Sequence, residues 1–233
     1  MFLSTVITTY NRADVLEENL EAFNDQTDKS FEVVVAIDGS TDHTIEMIEE
    51  FDNDFPLRWI DTGETEKYCL SKARNMGIVE AEGDAIVILD DDSFPCEGFV
   101  AAHKQTVQQR TLTGGCRSSH DPDDSLHAKM DWTVEAYGIK NPQPIKSLLV
   151  ENNCCMLRQD WIGCGMFCER FEGYGGTGQE FIRRMAYLGY SYQYNPDAKI
   201  YHHREFEGNN GMTRDIKNTQ AQKNIDLLRK FFK

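Results

Sequence analysis

The chain has 233 residues, a length that suits one domain with a single sizeable core and argues against a repeat array. Its 39 acidic and 24 basic residues give a formal charge of -15, which repels a phosphate backbone and excludes broad nucleic-acid binding. No apolar stretch approaches the roughly 18 residues of a membrane span and no basic leader precedes the first strand, so we expect a cytoplasmic protein.

Three short apolar runs in the first half of the chain predict buried parallel strands, at 2–8, 32–37 and 85–89. The stretches between them carry apolar residues at helical spacing, as in Leu16 and Leu20. This β-α-β-α-β-α-β order predicts a single α/β domain with a mostly parallel central sheet and helices on both faces. Ligands of such sheets bind beyond the carboxyl ends of the strands.

After residue 112 the pattern loosens, and we divide the chain into 1–112, 113–212 and 213–233. A run at 147–157 predicts a further strand, and a glycine-rich turn precedes a helix at 179–188. The last segment predicts a C-terminal helix with an apolar stripe and basic residues. Docking on its own domain explains that helix most simply, and contact with a membrane surface is the alternative.

The seven cysteines are odd in number and lack paired CxxC spacing, which predicts reduced thiols. Four of them offer a zinc cluster as an alternative to buried thiols. These are Cys154, Cys155, Cys164 and Cys168.

Polar clusters follow the three predicted strands, at 8–12, 38–42 and 90–95. Strand alternation predicts that Asp90 and Asp92 share one face while Asp91 points away. Paired carboxylates suit a hard divalent ion that bridges to phosphates, and an acidic helix-capping turn is the alternative. Asp38 either caps a helix or accepts a ligand hydrogen bond, and Tyr10 either stacks on a base or packs in the rim.

In combination these segments resemble the family-2 glycosyltransferases of the GT-A fold, which transfer a sugar from a nucleotide sugar. Four ordered segments carry the resemblance: 8–12, 37–42, 73–77 and 89–92. The stretches 173–181 and 201–203 are similar to chondroitin-polymerase-like and galactosaminyl-transferring relatives. The resemblance makes 1–112 the half that binds the nucleotide sugar and 113–212 the half that binds the acceptor.

The resemblance also implies roles for single residues. Asp38 would accept from a uracil imide and Asp90 would lie on the ribose side. Apart from the resemblance, the glycine- and asparagine-rich composition of the loop 204–212 predicts that it folds over the diphosphate. A Mn²⁺ or Mg²⁺ ion would be held by Asp92, Asp90 and His202, with His203 as the alternate. The implied nucleotide-binding residues are Thr8, Thr9, Tyr10, Arg12, Asp38, Arg74, Asp90 and Asp91.

One position departs from the family pattern. Inverting relatives place their general base at an Asp that corresponds here to Gly178, and glycine cannot accept a proton. We predict Glu180 as the catalytic base, with Glu151 as the second candidate.

The resulting prediction is a metal-dependent, inverting glycosyltransferase of polysaccharide biosynthesis that uses a nucleoside-diphosphate sugar, UDP-linked in particular. Its partner is a saccharide or glycoconjugate acceptor. One alternative is a non-catalytic nucleotide-sugar-binding module. Another is a sugar-phosphate nucleotidyltransferase, which would need a glycine-rich basic loop that 8–12 lacks. Candidate acceptor contacts, with packing and turn formation as alternatives, are Asp131, Trp132, Asn152 and Asn153.

Overall fold

The computed structural model describes residues 1–119, 151–202 and 214–231. The strands are β1 (Leu3–Thr9), β2 (Phe31–Ile37), β3 (Leu57–Asp61), β4 (Ala85–Asp90), β5 (Ser93–Pro95), β6 (Thr111–Ser119), β7 (Cys154–Leu157) and β8 (Ser191–His202). The helices are α1 (Ala13–Asn24), α2 (Thr44–Glu50), α3 (Leu70–Glu80), α4 (Phe99–Thr106), α5 (Arg158–Gly163), α6 (Thr177–Tyr187) and α7 (Arg214–Phe231).

The eight described strands form one sheet in the order β3-β2-β1-β4-β7-β6-β8-β5. Strands β3, β2, β1 and β4 run parallel, which brings their carboxyl ends to one edge. The short strand β7 is antiparallel to both β4 and β6, and β5 is antiparallel to β8. The predicted α/β domain with a mostly parallel sheet is confirmed.

Alternating strand residues divide the core between the two faces of the sheet, as the period of a strand requires. On β4, Val87 packs on one face with Leu16 of α1, whereas Ile88 packs on the other with Trp161 of α5. Both faces of the central strands are therefore covered by helices. This explains why these strands read in the sequence as continuous apolar runs.

Three features of the sheet differ from the sequence prediction. Strand β3 was not located, because it is a half-exposed edge strand whose apolar run is interrupted by Arg58. That guanidinium pairs with the buried Glu32 on the neighbouring strand at 2.7 Å. The strand expected at 147–157 is observed only as Cys154–Leu157, and 147–150 lies outside the described residues. Strand β5, only three residues long, was also missed.

The seven cysteines are free thiols. Cys155 packs in the core on one face of the sheet, whereas Cys154 and Cys164 pack on the other face. Because side chains on opposite faces of a strand cannot converge, these four cysteines do not form the common cluster that a zinc site would need.

The C-terminal helix α7 docks on the glycine-rich turn before α6. Asn224 of α7 is buried and its Nδ2 donates to the carbonyls of Glu172 and Gly175, at 2.9 and 2.7 Å. Phe231 stacks near Phe171, with ring centroids 5.7 Å apart. This agrees with a helix that packs on its own domain. No helix within the described parts of the chain combines the length and apolar character needed to cross a membrane.

Candidate active site

The carboxyl ends of β1, β2 and β4 bring the three polar clusters together. The Cα of Thr8 is paired with that of Asp90, and Thr9 with Ile37. The backbone N–H of Asp38 donates to the carbonyl of Thr9 at 2.9 Å. The prediction that one sheet edge collects these segments therefore holds.

Asn11 locks the loop after β1 to the loop after β2. Its φ of 52° is a left-handed conformation that Asn tolerates better than most residues. This turn aims its Oδ1 at the backbone N–H of Thr41 at 2.6 Å, while its own N–H donates to Ser40 Oγ at 2.9 Å. Sequence reasoning missed this organising role, although an Asn just after a strand end is a turn signal.

Two different arginines contact the three aspartates after Leu89. Strand β4 ends at Asp90, so Asp91 and Asp92 lie in a turn where the two-residue period no longer applies. Arg12 contacts both Asp91 and Asp92, at 2.7 and 3.2 Å, whereas Asp90 pairs with Arg74 at 2.8 Å. Asp91 is nevertheless the most buried of the three side chains, at 5% exposure against 13% for Asp92 and 35% for Asp90, as expected for the aspartate that points away from the other two.

Two asparagines hold the backbone of this acidic turn. Asn19 of α1 donates through Nδ2 to the carbonyls of Asp91 and Ser93, at 2.9 and 2.8 Å. Asn152 accepts from the N–H of Asp90 at 3.1 Å and donates to Ser93 Oγ at 2.8 Å. The turn is therefore fixed from both sides before any ligand binds.

Burial perturbs two carboxyl groups of the site. It raises the pKa of Asp38 to about 6, against hydrogen bonds from the Cys69 N–H and the Thr62 hydroxyl. Burial also raises the pKa of Asp91, and Arg12 with the Thr9 hydroxyl opposes that shift. Carboxyl groups with perturbed pKa values cluster at functional sites, which favours this sheet edge as the active site.

Arg74 lies on α3, and its guanidinium contacts the carboxyl end of β4 at Asp90. The residue is 1% exposed, and its Nη2 donates to Asp90. Its Nε and Nη1 have no hydrogen-bond partner within the described residues. Since guanidinium donors match phosphate oxygens well, this buried cation suits an anionic ligand.

The backbone positions of the predicted metal ligands are neighbours in the sheet. The Cα of His202 on β8 is paired with that of Ser93, the residue after Asp92, and the His202 side chain lies outside what is described. Within the described ranges, no three His, Cys, Asp or Glu side chains already converge as a metal cluster. Two carboxylates beside a histidine backbone position nevertheless form a donor set that fits a hard divalent ion.

The predicted base Glu180 is buried at the first turn of α6. Its two carboxylate oxygens accept from Arg184 Nε and Nη2, at 2.7 and 3.1 Å. Arg184 also donates to the carbonyl of Met166 at 2.6 Å, so the pair braces α6 against the preceding loop. These contacts favour a structural role for Glu180.

The remaining candidates fall into two groups. Tyr10 contacts Tyr68 edge to face, with ring centroids 6.4 Å apart. Asn152 and Asn153 are buried, and the Asn153 side chain bonds to His103 at 2.8 Å and to the Ala198 carbonyl at 2.9 Å. Internal contacts thus use both asparagines, as turn formation predicts. Four other candidates lie outside the described residues: Asp131, Trp132, His203 and the loop 204–212.

The model of the family described as Glycosyl transferase family 2 matches residues 4–164. The chain belongs to glycosyltransferase family 2. This match includes the three polar clusters and Arg74, so it covers the site built above.

Among family relatives, the chondroitin synthase of Escherichia coli is 27% identical over 241 aligned residues, which cover 86% of this chain and 34% of that synthase. The chondroitin synthase of Pasteurella multocida is 31% identical, over 86% of this chain and 24% of that enzyme. The chain thus spans 24% to 34% of the length of these relatives.

Solved structures of this class share the fold. TarS 1-349 of S. aureus in complex with UDP-GlcNAc has a TM-score of 0.69 at 18% identity, covering 98% of this chain and 65% of that one. The mannosyltransferase PcManGT of Pyrobaculum calidifontis, with GDP-Man and Mn2+, has a TM-score of 0.64 at 22% identity, over 88% of this chain and 58% of that one. The chain therefore has the GT-A architecture of these enzymes.

Proposed function

We propose that this glycosyltransferase is metal-dependent and transfers a sugar, with inversion, from a nucleoside-diphosphate sugar to a saccharide or glycoconjugate acceptor. One observation carries the proposal: Asp38, Arg74 and Asp90 lie at one sheet edge, with a buried guanidinium whose donors are not all used by the described residues. This arrangement suits a nucleotide on one side and a diphosphate on the other.

UDP is the nucleotide we propose. Asp38 is the acceptor for the base, Asp90 faces the ribose, and Thr8, Thr9 and Tyr10 line the pocket. Arg74 and Arg12 supply positive charge. Asp91 accepts hydrogen bonds from Thr9 Oγ1 and Arg12 Nη1 and so positions both side chains. The complex of TarS with UDP-GlcNAc supports a UDP donor, and the two chondroitin synthases support a saccharide acceptor.

Asp92, Asp90 and His202 would hold Mn²⁺ or Mg²⁺. When bound, the ion supplies Lewis-acid stabilisation of the departing diphosphate. The PcManGT complex with GDP-Man and Mn2+ supports this assignment. Arg12 lies 2.7 Å from Asp91 and 3.2 Å from Asp92 and so offsets part of the negative charge of this turn.

We further propose that 1–112 binds the donor and 113–212 the acceptor, that 213–233 is an appended helix, and that the enzyme works in the cytoplasm in polysaccharide biosynthesis. Contact of α7 with a membrane surface is an alternative to simple docking. Co-sedimentation with anionic vesicles, with and without 213–233, tests that alternative.

The decisive experiment follows diphosphate release from a panel of UDP-, GDP- and dTDP-sugars with oligosaccharide acceptors. With Mn²⁺ we expect turnover of a UDP-sugar, and exhaustive chelation should abolish it. Asp92→Asn should lower turnover and raise the Mn²⁺ concentration that is needed for half the maximal rate. Asp84→Asn, at the opposite end of β4, serves as a control. Turnover that survives chelation would contradict metal dependence.

A non-catalytic nucleotide-sugar-binding module is the second candidate, and Gly178 at the family's base position favours it. Tight UDP binding by calorimetry without turnover of any donor in the panel would support the module over the enzyme.

A further inference from the structure

The space that a side chain at position 178 would occupy is filled by Glu151. A Cβ added to Gly178 would overlap the Oε2 and Cδ atoms of Glu151 and lie 2.8 Å from its Oε1. Gly178 is in the first turn of α6, whereas Glu151 precedes β7, so the two residues come from different elements. The loss of the family's carboxylate at 178 thus coincides with a carboxylate that enters the same space from another segment.

Glu151 is connected to the donor side of the site and remains accessible. Its Oε1 lies 3.9 Å from Arg74 Nη1, and the same guanidinium contacts Asp90 through Nη2. The Glu151 side chain is 29% exposed, whereas that of Glu180 is 3% exposed and bound by Arg184. Of these two carboxylates, Glu151 is the one that an acceptor hydroxyl can reach.

We propose that Glu151 is the catalytic base of the transfer reaction and replaces the carboxylate missing at Gly178. The inference rests on the proposed function. The acceptor hydroxyl gives its proton to a carboxylate oxygen of Glu151 as its oxygen bonds to the anomeric carbon of the donor sugar. The bond from that carbon to the diphosphate breaks, and its electron pair leaves with the nucleoside diphosphate.

Glycine at 178 is then a requirement of this arrangement. Any side chain there displaces the Glu151 carboxylate toward solvent or toward Arg74. Since a general base must lie within hydrogen-bond reach of the proton it takes, a small displacement is enough to lower the rate. Glu151 and Gly178 should therefore behave as a coupled pair.

Two single variants test the proposal first, with the donor and acceptor pair that gives the wild type its highest rate in the panel above. We expect Glu151→Gln to lower kcat by about 100-fold or more, the usual worth of a general base. UDP affinity in the presence of Mn²⁺, measured by calorimetry, should change less than about threefold. Glu180→Gln is the matched control: it should lower thermal stability and keep most of the transfer rate.

A carboxylate exchange supplies the second measurement. Gly178→Ala alone should lower kcat by about tenfold or more, because the methyl group displaces Glu151 while the carboxylate itself is retained. The double variant Glu151→Ala with Gly178→Asp should transfer at least about tenfold faster than Glu151→Ala, since it returns a carboxylate to the shared space. Circular dichroism identifies any variant that fails to fold, and the remaining variants then decide.

The outcomes separate this inference from the proposed function. If the wild type transfers sugar and a folded Glu151→Gln keeps its rate, Glu151 is not the base although the enzyme assignment stands. If Glu180→Gln loses transfer with UDP binding intact, Glu180 is the base. If the wild type turns over no donor, the proposed function and this inference are both overturned.

Discussion

The Nη2 atom of Arg74 lies 2.8 Å from Oδ1 of Asp90, and the two side chains are 2% and 35% exposed. The cation is therefore almost completely removed from water, whereas the carboxylate keeps part of its hydration. Asp90 is the single charged group within hydrogen-bond distance of this guanidinium among the described residues, because Glu151 lies further away at 3.9 Å. The stability of α3 at the site thus depends on a residue that we also propose to face the donor nucleotide.

Replacing Asp90 by Asn should lower the free energy of unfolding by about 1–3 kcal/mol, because it removes the charged acceptor of a buried cation. Urea denaturation without ligand measures this loss. Asp92→Asn is the control and should cost less, since Arg12 keeps its 2.7 Å contact with Asp91. Equal losses in the two variants would contradict the importance of the Arg74 contact.

Asp38 should make stability fall as the pH rises from about 4 to above 6. Burial raises its pKa from 3.8 to about 6, so the unfolded chain loses this proton at lower pH than the folded protein does. The difference corresponds to about 3 kcal/mol, fully present below pH 4 and lost above pH 6. Asp38→Asn removes this pH-dependent contribution to the free energy of unfolding. The stability of the variant minus that of the wild type should therefore increase between pH 4 and 7.

Urea denaturation of both proteins at several pH values measures that trend. The same variant should bind UDP more weakly at pH 7, if Asp38 accepts a hydrogen bond from the base. A stability difference between Asp38→Asn and wild type that stays constant with pH would rule out a raised pKa.

Gly77 sets the distance between α3 and the sheet. A Cβ at this position would overlap Cγ1 of Val6 and lie 3.2 Å from Cβ of Ala36. Gly77→Ala should therefore lower the free energy of unfolding by about 1–3 kcal/mol. It should also weaken UDP binding, because pushing α3 away from the sheet displaces Arg74, which lies one helical turn before Gly77. Gly163→Ala on α5, where nothing lies within 4 Å of the added Cβ, is the control and should affect neither. Urea denaturation and calorimetry provide the two measurements.

Asn224 should anchor α7 to the glycine-rich turn. Asn224→Ala removes a buried amide that donates to the Glu172 and Gly175 carbonyls, so we expect a loss of about 1–3 kcal/mol. Limited proteolysis should cut the C-terminal segment faster in this variant. Asn218→Ala, at an exposed position of the same helix, should behave as the wild type does. Identical digestion of both variants would show that the amide does not hold the helix.

The sequence predicted the central strands and the three polar clusters because both depend on short-range signals. Strands covered on both faces must be continuously apolar, and the turns that end them need Asp, Asn, Gly and Ser. The half-exposed β3 carries neither signal, and its Arg58 is paired with Glu32 on the neighbouring strand and with Glu80 at the end of α3. The pairing of β3 with β2 cannot be predicted from the sequence of either strand alone.

The sequence by itself thus determined the alternation of strands and helices along the chain, the sheet edge that collects the polar clusters, and the absence of a proton acceptor at Gly178. Only the tertiary structure decided which charges meet: Arg12 with Asp91 and Asp92, Arg74 with Asp90, and Arg184 with Glu180. Local sequence patterns predict where strands and helices lie and which face of a strand a residue occupies. Contacts between distant segments depend on how the helices pack across the sheet, and that packing brings Glu151 into the space beside Gly178.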